Sequence, residues 1–315
     1  MIRVALDAMG GDLGPRIAFE GALEVLSQYP DIAIDIFYAP DVHLELPAPH
    51  ARLSLIPCHD TIAVDEEVTR GLFRRCDSTL FQALTSLKEQ RSSVVVTMGN
   101  TGAMVALARH VLGLLRPKLY PALIRELHSR PLRCLVDLGA NVHCPATMLQ
   151  GFAQLGAAYV EALSDVPPRI GLLNVGVENS KGSSVIKEAD RLLSAKSWPV
   201  YLGYAEGSEL FHGEKNVIVC DGMVGNAVLK ASEGLLKFLL GQIQSLGSNT
   251  PGFFESFYQT ERRHGACLVG VGGNLVKGHG SSDRAAIVGA IEYGIDIARA
   301  DLCSAIDARL CNEEM

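Results

Sequence analysis

Short apolar runs alternate with amphipathic stretches along this chain, and that alternation limits its possible folds more than any other feature. Ile2–Leu6, Ile32–Phe37, Ser93–Thr97, Cys134–Val136, Ile170–Leu173, Val200–Leu202 and Val217–Cys220 are nearly continuous in apolar character, as parallel strands buried on both faces are. Between them Leu80–Leu87, Met148–Leu163, Ser184–Leu193, Ala227–Ile243 and Ala285–Ala298 place apolar residues at helical spacing, one face buried and one wet. Parallel strands need crossover connections and helices supply them. The pattern therefore predicts an α/β fold, a three-layer α/β/α sandwich around a mostly parallel sheet. With 315 residues, 48% of them hydrophobic, the chain can bury one large core or two smaller lobes. We take residues 1–315 as a single domain, with a polar, aromatic excursion from the sheet near 246–265.

Glycine and asparagine gather where strands should hand over to helices. The runs are DAMGGD (Asp7–Asp12), GNTGA (Gly99–Ala103), DLGANV (Asp137–Val142), NVGVENSKG (Asn174–Gly182), CDGMVGN (Cys220–Asn226) and GNLVKGHGSSD (Gly273–Asp283). Glycine lets backbone approach a ligand closely, and a helix start offers unpaired N–H groups at the positive end of its dipole; together they hold anions such as phosphate. Sites in such folds lie beyond the carboxyl ends of the strands, where these runs fall. Formal net charge is −7, so the surface as a whole does not attract nucleic acid, and an anionic ligand must be held locally. The eight cysteines form no C-x-x-C pair, which reads as reduced cytosolic thiols and argues against a zinc site. Met1 leads straight into an apolar strand without a signal-peptide layout, and the longest apolar stretch, around Met104–Leu115, is broken by Arg109 and His110. These features predict a cytoplasmic protein.

Taken in order, DAMGGD, GNTGA, DLGANV, GLLNVGVENSKG, EGSELFHGEKNVIVCDGMVGNAVLK and LVKGHGSSD resemble the phosphate acyltransferases of bacterial phospholipid synthesis over nearly the whole chain. That family makes acyl phosphate from acyl-acyl carrier protein and inorganic phosphate. The resemblance implies a Rossmann-like fold of the isocitrate-dehydrogenase and phosphotransacetylase kind, a homodimer, and no metal or organic cofactor. It also implies a cytosolic enzyme near the membrane that feeds a membrane-bound glycerol-3-phosphate acyltransferase.

Phosphate attacking a thioester carbonyl needs a phosphate cradle, a donor for the tetrahedral oxyanion, and room for an acyl chain and a pantetheine arm. The thiol leaves readily and phosphate is itself the nucleophile, so positioning and electrostatics should carry most of the rate. Gly99, Asn100, Thr101 and Gly102 suit a cradle, with a plain turn capped by Thr101 as the competing reading. Lys181, between a strand end and a helix cap at Ser183 or Ser184, is the expected phosphate cation, with Glu178 orienting it or capping the helix. Asn226 is expected to donate to oxyanion or phosphate, oriented by Asp221 beside Gly222, or else to cap the helix. Lys277, His279, Ser281 and Ser282 surround two glycines, and His279 is placed to protonate the leaving thiolate or to donate to phosphate, with a structural histidine as the competing reading. Asp7, Gly10, Gly11 and Asn141 complete the expected phosphate-binding set.

Some features admit other uses. Cys144, between His143 and Pro145 at a helix start, permits a covalent acyl-enzyme. Asp7 and Asp12 can bind a metal or cap the first helix, with Pro15 in its first turn. Arg74, Arg75, Asp77 and Ser78 resemble a family segment, but Cys76 stands where the family frequently carries a lysine. The rival enzyme class is a nicotinamide-dependent dehydrogenase, against which stand the missing G-x-G-x-x-G and the missing ribose-binding acid. The rival outside enzymology is a silent scaffold that docks acyl carrier protein. The segment Leu246–Gly265 is shorter than the family's projecting hairpin but keeps Phe253, Phe254, Phe257, Tyr258, Arg262 and Arg263. Those residues suit weak peripheral contact with an anionic membrane, or packing against the body or the dimer partner.

Overall fold

The structure is a computed structural model that describes residues 1–40, 50–129, 131–245, 265–280 and 282–314. The chain forms two compact units, Met1–Pro121 with Arg263–Asp307, and Ala122–Arg262 with Ala308–Met315.

The first unit begins with strand β1 (Ile2–Asp7), helix α1 (Pro15–Gln28) and strands β2 (Ile32–Tyr38) and β3 (Leu53–Pro57). A 3-10 turn at Arg70–Arg74 precedes α2 (Thr79–Lys88), β4 (Val94–Thr97) and α3 (Thr101–Val111). Strands β10 (Ala266–Val269) and β11 (Leu275–Lys277) and helix α7 (Arg284–Arg299) return to it from the far end of the chain, followed by α8 (Leu302–Glu314). Its strands lie in the order β3-β2-β1-β4-β11-β10, parallel except for the β10–β11 pair. Val4 faces Val94 across β1 and β4, and Val96 faces Val276 across β4 and β11, so the middle of the sheet is a ladder of branched side chains. Helix α1 packs with α7 and α2 packs with α3, each pair also meeting the strands. Leu6, Leu26, Ile34, Phe37, Leu84, Met104 and Leu107 lie at the centre, fully buried.

The second unit holds β5 (Ala122–Ser129), β6 (Leu132–Val136), α4 (Ala146–Leu163), β7 (Arg169–Leu173), α5 (Ser184–Ser194), β8 (Val200–Ala205), β9 (Val217–Val219) and α6 (Gly222–Ser245). Its strand order is β5-β6-β9-β7-β8, antiparallel between β5 and β6 and parallel elsewhere. Helix α4 covers β5, β6, β7 and β9 and packs on α5, burying Phe152 and Tyr159; the Tyr159 hydroxyl donates to Glu126 Oε1 at 2.9 Å. The sheet ends show in the burial pattern. β3 and β8 carry exposed positions, whereas β4, β6 and β9 carry none.

The expected strands and helices are all present, most a residue or two longer than their apolar cores, because caps and polar strand ends are invisible to hydrophobic periodicity. Helix α6 starts at Gly222 rather than Ala227, since Asp221 Oδ1 accepts the Val224 N–H at 2.8 Å and caps it there. Asn226 therefore lies inside the helix and does not cap it. Helix α1 is entered from Gly14 without a side-chain cap and with Pro15 in its first turn; the chain turns in through a positive φ of 77° and Pro15 has no N–H to satisfy. Capping by Asp7 or Asp12 is thus corrected. Residues 246–264 lie outside the described residues, and so does the expectation of an aromatic excursion there.

Candidate functional site

In the first unit the expected residues collect beyond the carboxyl ends of β1, β4 and β11. The opening glycines carry the backbone of this loop across that of the GNTGA loop. A methyl on Gly10 would overlap the Gly99 nitrogen and stand 2.5 Å from its Cα, so only glycine fits. Asp7 lies beneath this crossing, fully buried. It accepts Thr97 Oγ1 at 2.8 Å and the Met9 N–H at 3.3 Å, and Thr97 Oγ1 in turn accepts the Gly99 N–H at 3.0 Å. Burial pushes the Asp7 carboxyl above its ordinary range, while the Thr97 and Thr79 hydroxyls, the Met9 N–H and the Lys277 charge pull it back. Asp7 thus supports the loops from below. Thr97, its partner, was not singled out from sequence, because a strand-end threonine carries no pattern of its own.

The GNTGA loop is more committed than expected. Asn100, not Thr101, caps α3: its Oδ1 accepts the Ala103 N–H at 3.0 Å, and its Nδ2 donates to the Val64 and Glu66 carbonyls at 3.0 and 2.8 Å. With Gly99 N–H on Thr97 and Ala103 N–H on Asn100, the first-turn N–H groups of this helix that neither side chain engages are those of Thr101 and Gly102. The Lys277 ammonium donates to the Met98 carbonyl at 3.2 Å and to the Gly278 carbonyl, so it ties β11 to the β4 loop. Gly11 runs beside Gly280, and the neighbouring Asp12 N–H donates to the Gly280 carbonyl at 2.8 Å. His279 is exposed on this turn, and its carbonyl accepts the Ser282 N–H and hydroxyl at 3.1 and 2.6 Å. Ser281 lies outside the described residues. Among the described residues no group of three or more His, Cys, Asp or Glu could hold a metal ion.

In the second unit the expected residues collect beyond β6, β9 and β7. The organising group is Asp137, which sequence reading passed over within DLGANV. It is fully buried; Oδ1 accepts the N–H groups of Leu123, Leu138 and Ala140 at 2.8, 2.7 and 3.2 Å, and Oδ2 accepts the Asn141 N–H and side-chain amide at 2.7 and 3.1 Å. Burial raises this carboxyl too, against the pull of those donors. The Asn141 carbonyl accepts the Gly222 N–H at 2.9 Å, and a methyl on Gly222 would stand 2.5 Å from that carbonyl oxygen and 2.8 Å from Asp137 Oδ2. Asn141, Asp221 and Gly222 are thus brought together. Asn226 joins them, exposed, with its Cβ beside Gly139.

Lys181 is exposed on the next loop. Its N–H closes a turn on the Glu178 carbonyl at 2.9 Å, and both side chains lie against Gly176. Ser183 caps α5, as one of the two expected caps, accepting the Ile186 N–H at 3.3 Å. Glu178 therefore does not cap this helix. Cys144 is buried with its thiol on the Asn141 carbonyl at 3.5 Å, and burial pushes it up to about 11. A helix start lowers a thiol that faces it from solvent, and this one does not. Arg75 is likewise committed, to Asp60 at 2.5 and 2.7 Å and to Glu66, while Arg74 is exposed. Asp77 accepts the His59 N–H at 3.3 Å, and the buried Ser78 donates to the Arg75 carbonyl at 2.8 Å. The expected set is therefore grouped into one cluster per unit, with its carboxylates and Asn100 working as supports.

Solved structures define the class first. A branched-chain phosphotransacylase from Enterococcus faecalis V583 aligns with a TM-score of 0.60 at 15% identity, over 94% of this chain and 99% of its own. A phosphotransacetylase from Streptococcus pyogenes aligns at 0.59 and 12% identity, over 98% and 94% of the two chains. A 4-hydroxythreonine-4-phosphate dehydrogenase from Klebsiella pneumoniae aligns at 0.56 and 14% identity, over 95% and 100%. At such identities the likeness speaks for the fold alone: an α/β sandwich shared by phosphotransacylases and dehydrogenases. Sequence narrows it. The family described as "Fatty acid synthesis protein" matches residues 2–305. Phosphate acyltransferases from Pseudomonas syringae pv. tomato and Polaromonas naphthalenivorans are 37% and 35% identical, covering 98% and 99% of this chain and 96% and 91% of theirs. The chain belongs to the phosphate acyltransferase family and is an enzyme. The dehydrogenase alternative keeps the fold but not the family.

Proposed function

We propose that this enzyme transfers a long-chain acyl group reversibly from acyl-acyl carrier protein to inorganic phosphate, giving acyl phosphate for phosphatidic acid synthesis. A phosphate oxygen attacks the thioester carbonyl carbon, a C–O bond forms, the tetrahedral oxyanion collapses, and the C–S bond breaks with the thiolate taking a proton. The observation that supports the direct route is the setting of Cys144, whose buried thiol lies on the Asn141 carbonyl at 3.5 Å and is pushed up by burial, which disfavours a thiolate relay.

Roles follow unit by unit. In the second unit Lys181, exposed and without an ion pair among the described residues, is the phosphate cation, and the Asn226 amide donates to developing negative charge. In the first unit the Thr101 and Gly102 N–H groups take an anionic oxygen, and exposed His279 protonates the leaving thiolate. We extend the proposal to a cytoplasmic homodimer that hands its product to a membrane glycerol-3-phosphate acyltransferase and touches the bilayer weakly. Among the described residues no helix is long and apolar enough to cross a membrane. Flotation with anionic liposomes should show binding at low salt that is lost at high salt; tight binding in high salt overturns that part.

The central test incubates the protein with long-chain acyl-acyl carrier protein and labelled phosphate. The expected product is a hydroxylamine-sensitive acyl phosphate. Folded protein that makes none, from an intact donor, refutes the function and leaves the scaffold reading. Acyl group trapped on Cys144 replaces direct attack with a covalent relay.

A further inference from the structure

Beyond the phosphate end of the reaction, the second unit carries an apolar surface that the roles above leave unused. Large apolar side chains stand in solvent on adjacent loops: Val142 after β6, Met223 and Val224 after β9, and Val175 and Val177 after β7. Val175 is 82% exposed and Met223 66%, far from the usual state of such residues. The loops are neighbours by construction. Val136 pairs with Val219 and Leu172 pairs with the same Val219, so β6, β9 and β7 end side by side. The Gly222 N–H on the Asn141 carbonyl, at 2.9 Å, brings Val142 and Met223 onto adjoining turns. Lys181 lies on the same loop as Val175 and Val177, and Asn226 follows Val224 on the first turns of α6.

We infer that Val142, Val175, Val177, Met223 and Val224 form the seat of the substrate's acyl chain beside its reacting carbonyl. This rests on the acyltransfer reading. An acyl phosphate is an anionic head on a hydrocarbon tail, and this surface repeats that order with a lysine and an amide next to a row of exposed apolar groups. A chain laid across it is removed from water together with the valines and Met223. Each methylene covered should strengthen transition-state binding by about fourfold. Because the row is a surface and not a closed tunnel, it grades donors by length without setting a sharp upper limit.

The test measures kcat/KM for acyl-acyl carrier protein donors of increasing chain length, from four to sixteen carbons. The proteins are wild type, Val175→Ser, Met223→Ser, and Val200→Ser as a control at the start of β8, where the side chain is also half exposed. All are surface changes, and size-exclusion chromatography runs alongside. The seat predicts a rise with length in wild type and Val200→Ser, a slope flattened by roughly tenfold or more over the series in Val175→Ser and Met223→Ser, and little change with the shortest donor. Slopes equal to wild type in both variants overturn the seat while turnover on every donor leaves the acyltransfer reading standing. Equal slopes with loss of the dimer assign the surface to a second copy of the chain and overturn it too. No acyl phosphate from wild type on any donor refutes the reaction itself.

Discussion

Helix α6 contains glycines with opposite roles, and alanine substitution separates them. Gly234 and Gly241 are exposed, and a methyl on either meets nothing within 4 Å. There glycine only costs helix stability, so Gly234→Ala should gain about 0.5–1 kcal/mol. Gly222 and Gly225 sit where the helix start presses on the Asp137 loop. A methyl on Gly222 would lie 2.5 Å from the Asn141 oxygen and 2.7 Å from the Gly139 nitrogen. On Gly225 it would overlap the Asp137 carbonyl oxygen and stand 3.0 Å from Cys220 Sγ. These obstacles are mostly backbone and cannot rotate away, so relief means parting α6 from the loop that Asp137 holds. Overpacking of this kind costs about 1–3 kcal/mol, and the carbonyl overlap puts Gly225→Ala at the upper end or beyond. At roughly 2–4 °C per kcal/mol, Gly225→Ala should melt about 5–10 °C below wild type and Gly234→Ala a degree or more above it. Thermal unfolding followed by circular dichroism reads both. The reasoning is refuted if Gly225→Ala melts with wild type, or if Gly234→Ala falls as far as Gly225→Ala.

Other perturbations probe chemistry and charge. Lys181→Ala, Asn226→Ala and His279→Ala should each lower turnover by on the order of 10²-fold with near-native melts, and Lys181→Ala should raise the phosphate KM most; wild-type kinetics in all of them would return these residues to packing. Cys144→Ala should keep near-wild-type turnover, and alkylation of the wild-type thiol should accelerate with pH up to about 11; a plateau near neutrality would contradict its burial. The raised Asp7 carboxyl sets a sign: its contribution to stability is fully present below its ordinary range and is lost as pH rises through the folded value. Urea unfolding should therefore favour wild type over Asp7→Asn more at pH 4 than at pH 7, and the opposite trend would mean that the charged form is the favoured one in the fold.

The α/β class was legible because continuous apolar runs such as Val94–Val96 and periodic stretches such as Met148–Leu163 differ in length and period. Parts of the fold that depend on pairing were not. Residues 122–129 include Arg125, Glu126 and His128 and carry too mixed a pattern to read as a strand, yet they pair antiparallel with β6. The site was legible as loops but not as roles. Asn100 and Lys277 have the chemistry of phosphate ligands, and only geometry shows their polar atoms spent on carbonyls and a cap. Asp137 was missed for the converse reason: a strand-end aspartate looks like any turn residue until its oxygens are seen to gather the N–H groups of the following loop.

The way the chain is shared between its two units bears on how it is made. The first unit takes its early residues up to Pro121 and then nothing until Arg263. Strand β4 is thus synthesised long before β11, whose Val276 pairs with its Val96. On a ribosome that gap lasts on the order of ten seconds, during which the hydrogen-bonding edge of β4 awaits its partner and is open to the wrong one. The second unit is contiguous in its strands, and Arg309 adds to it only a partly exposed pair with Glu161 at 2.5 Å and a contact 4.2 Å over the Trp198 ring. A ribosome-bound chain stalled before β11 should therefore leave the first unit protease-sensitive and a substrate for chaperones, and native structure should appear there only once β11 and α7 have emerged.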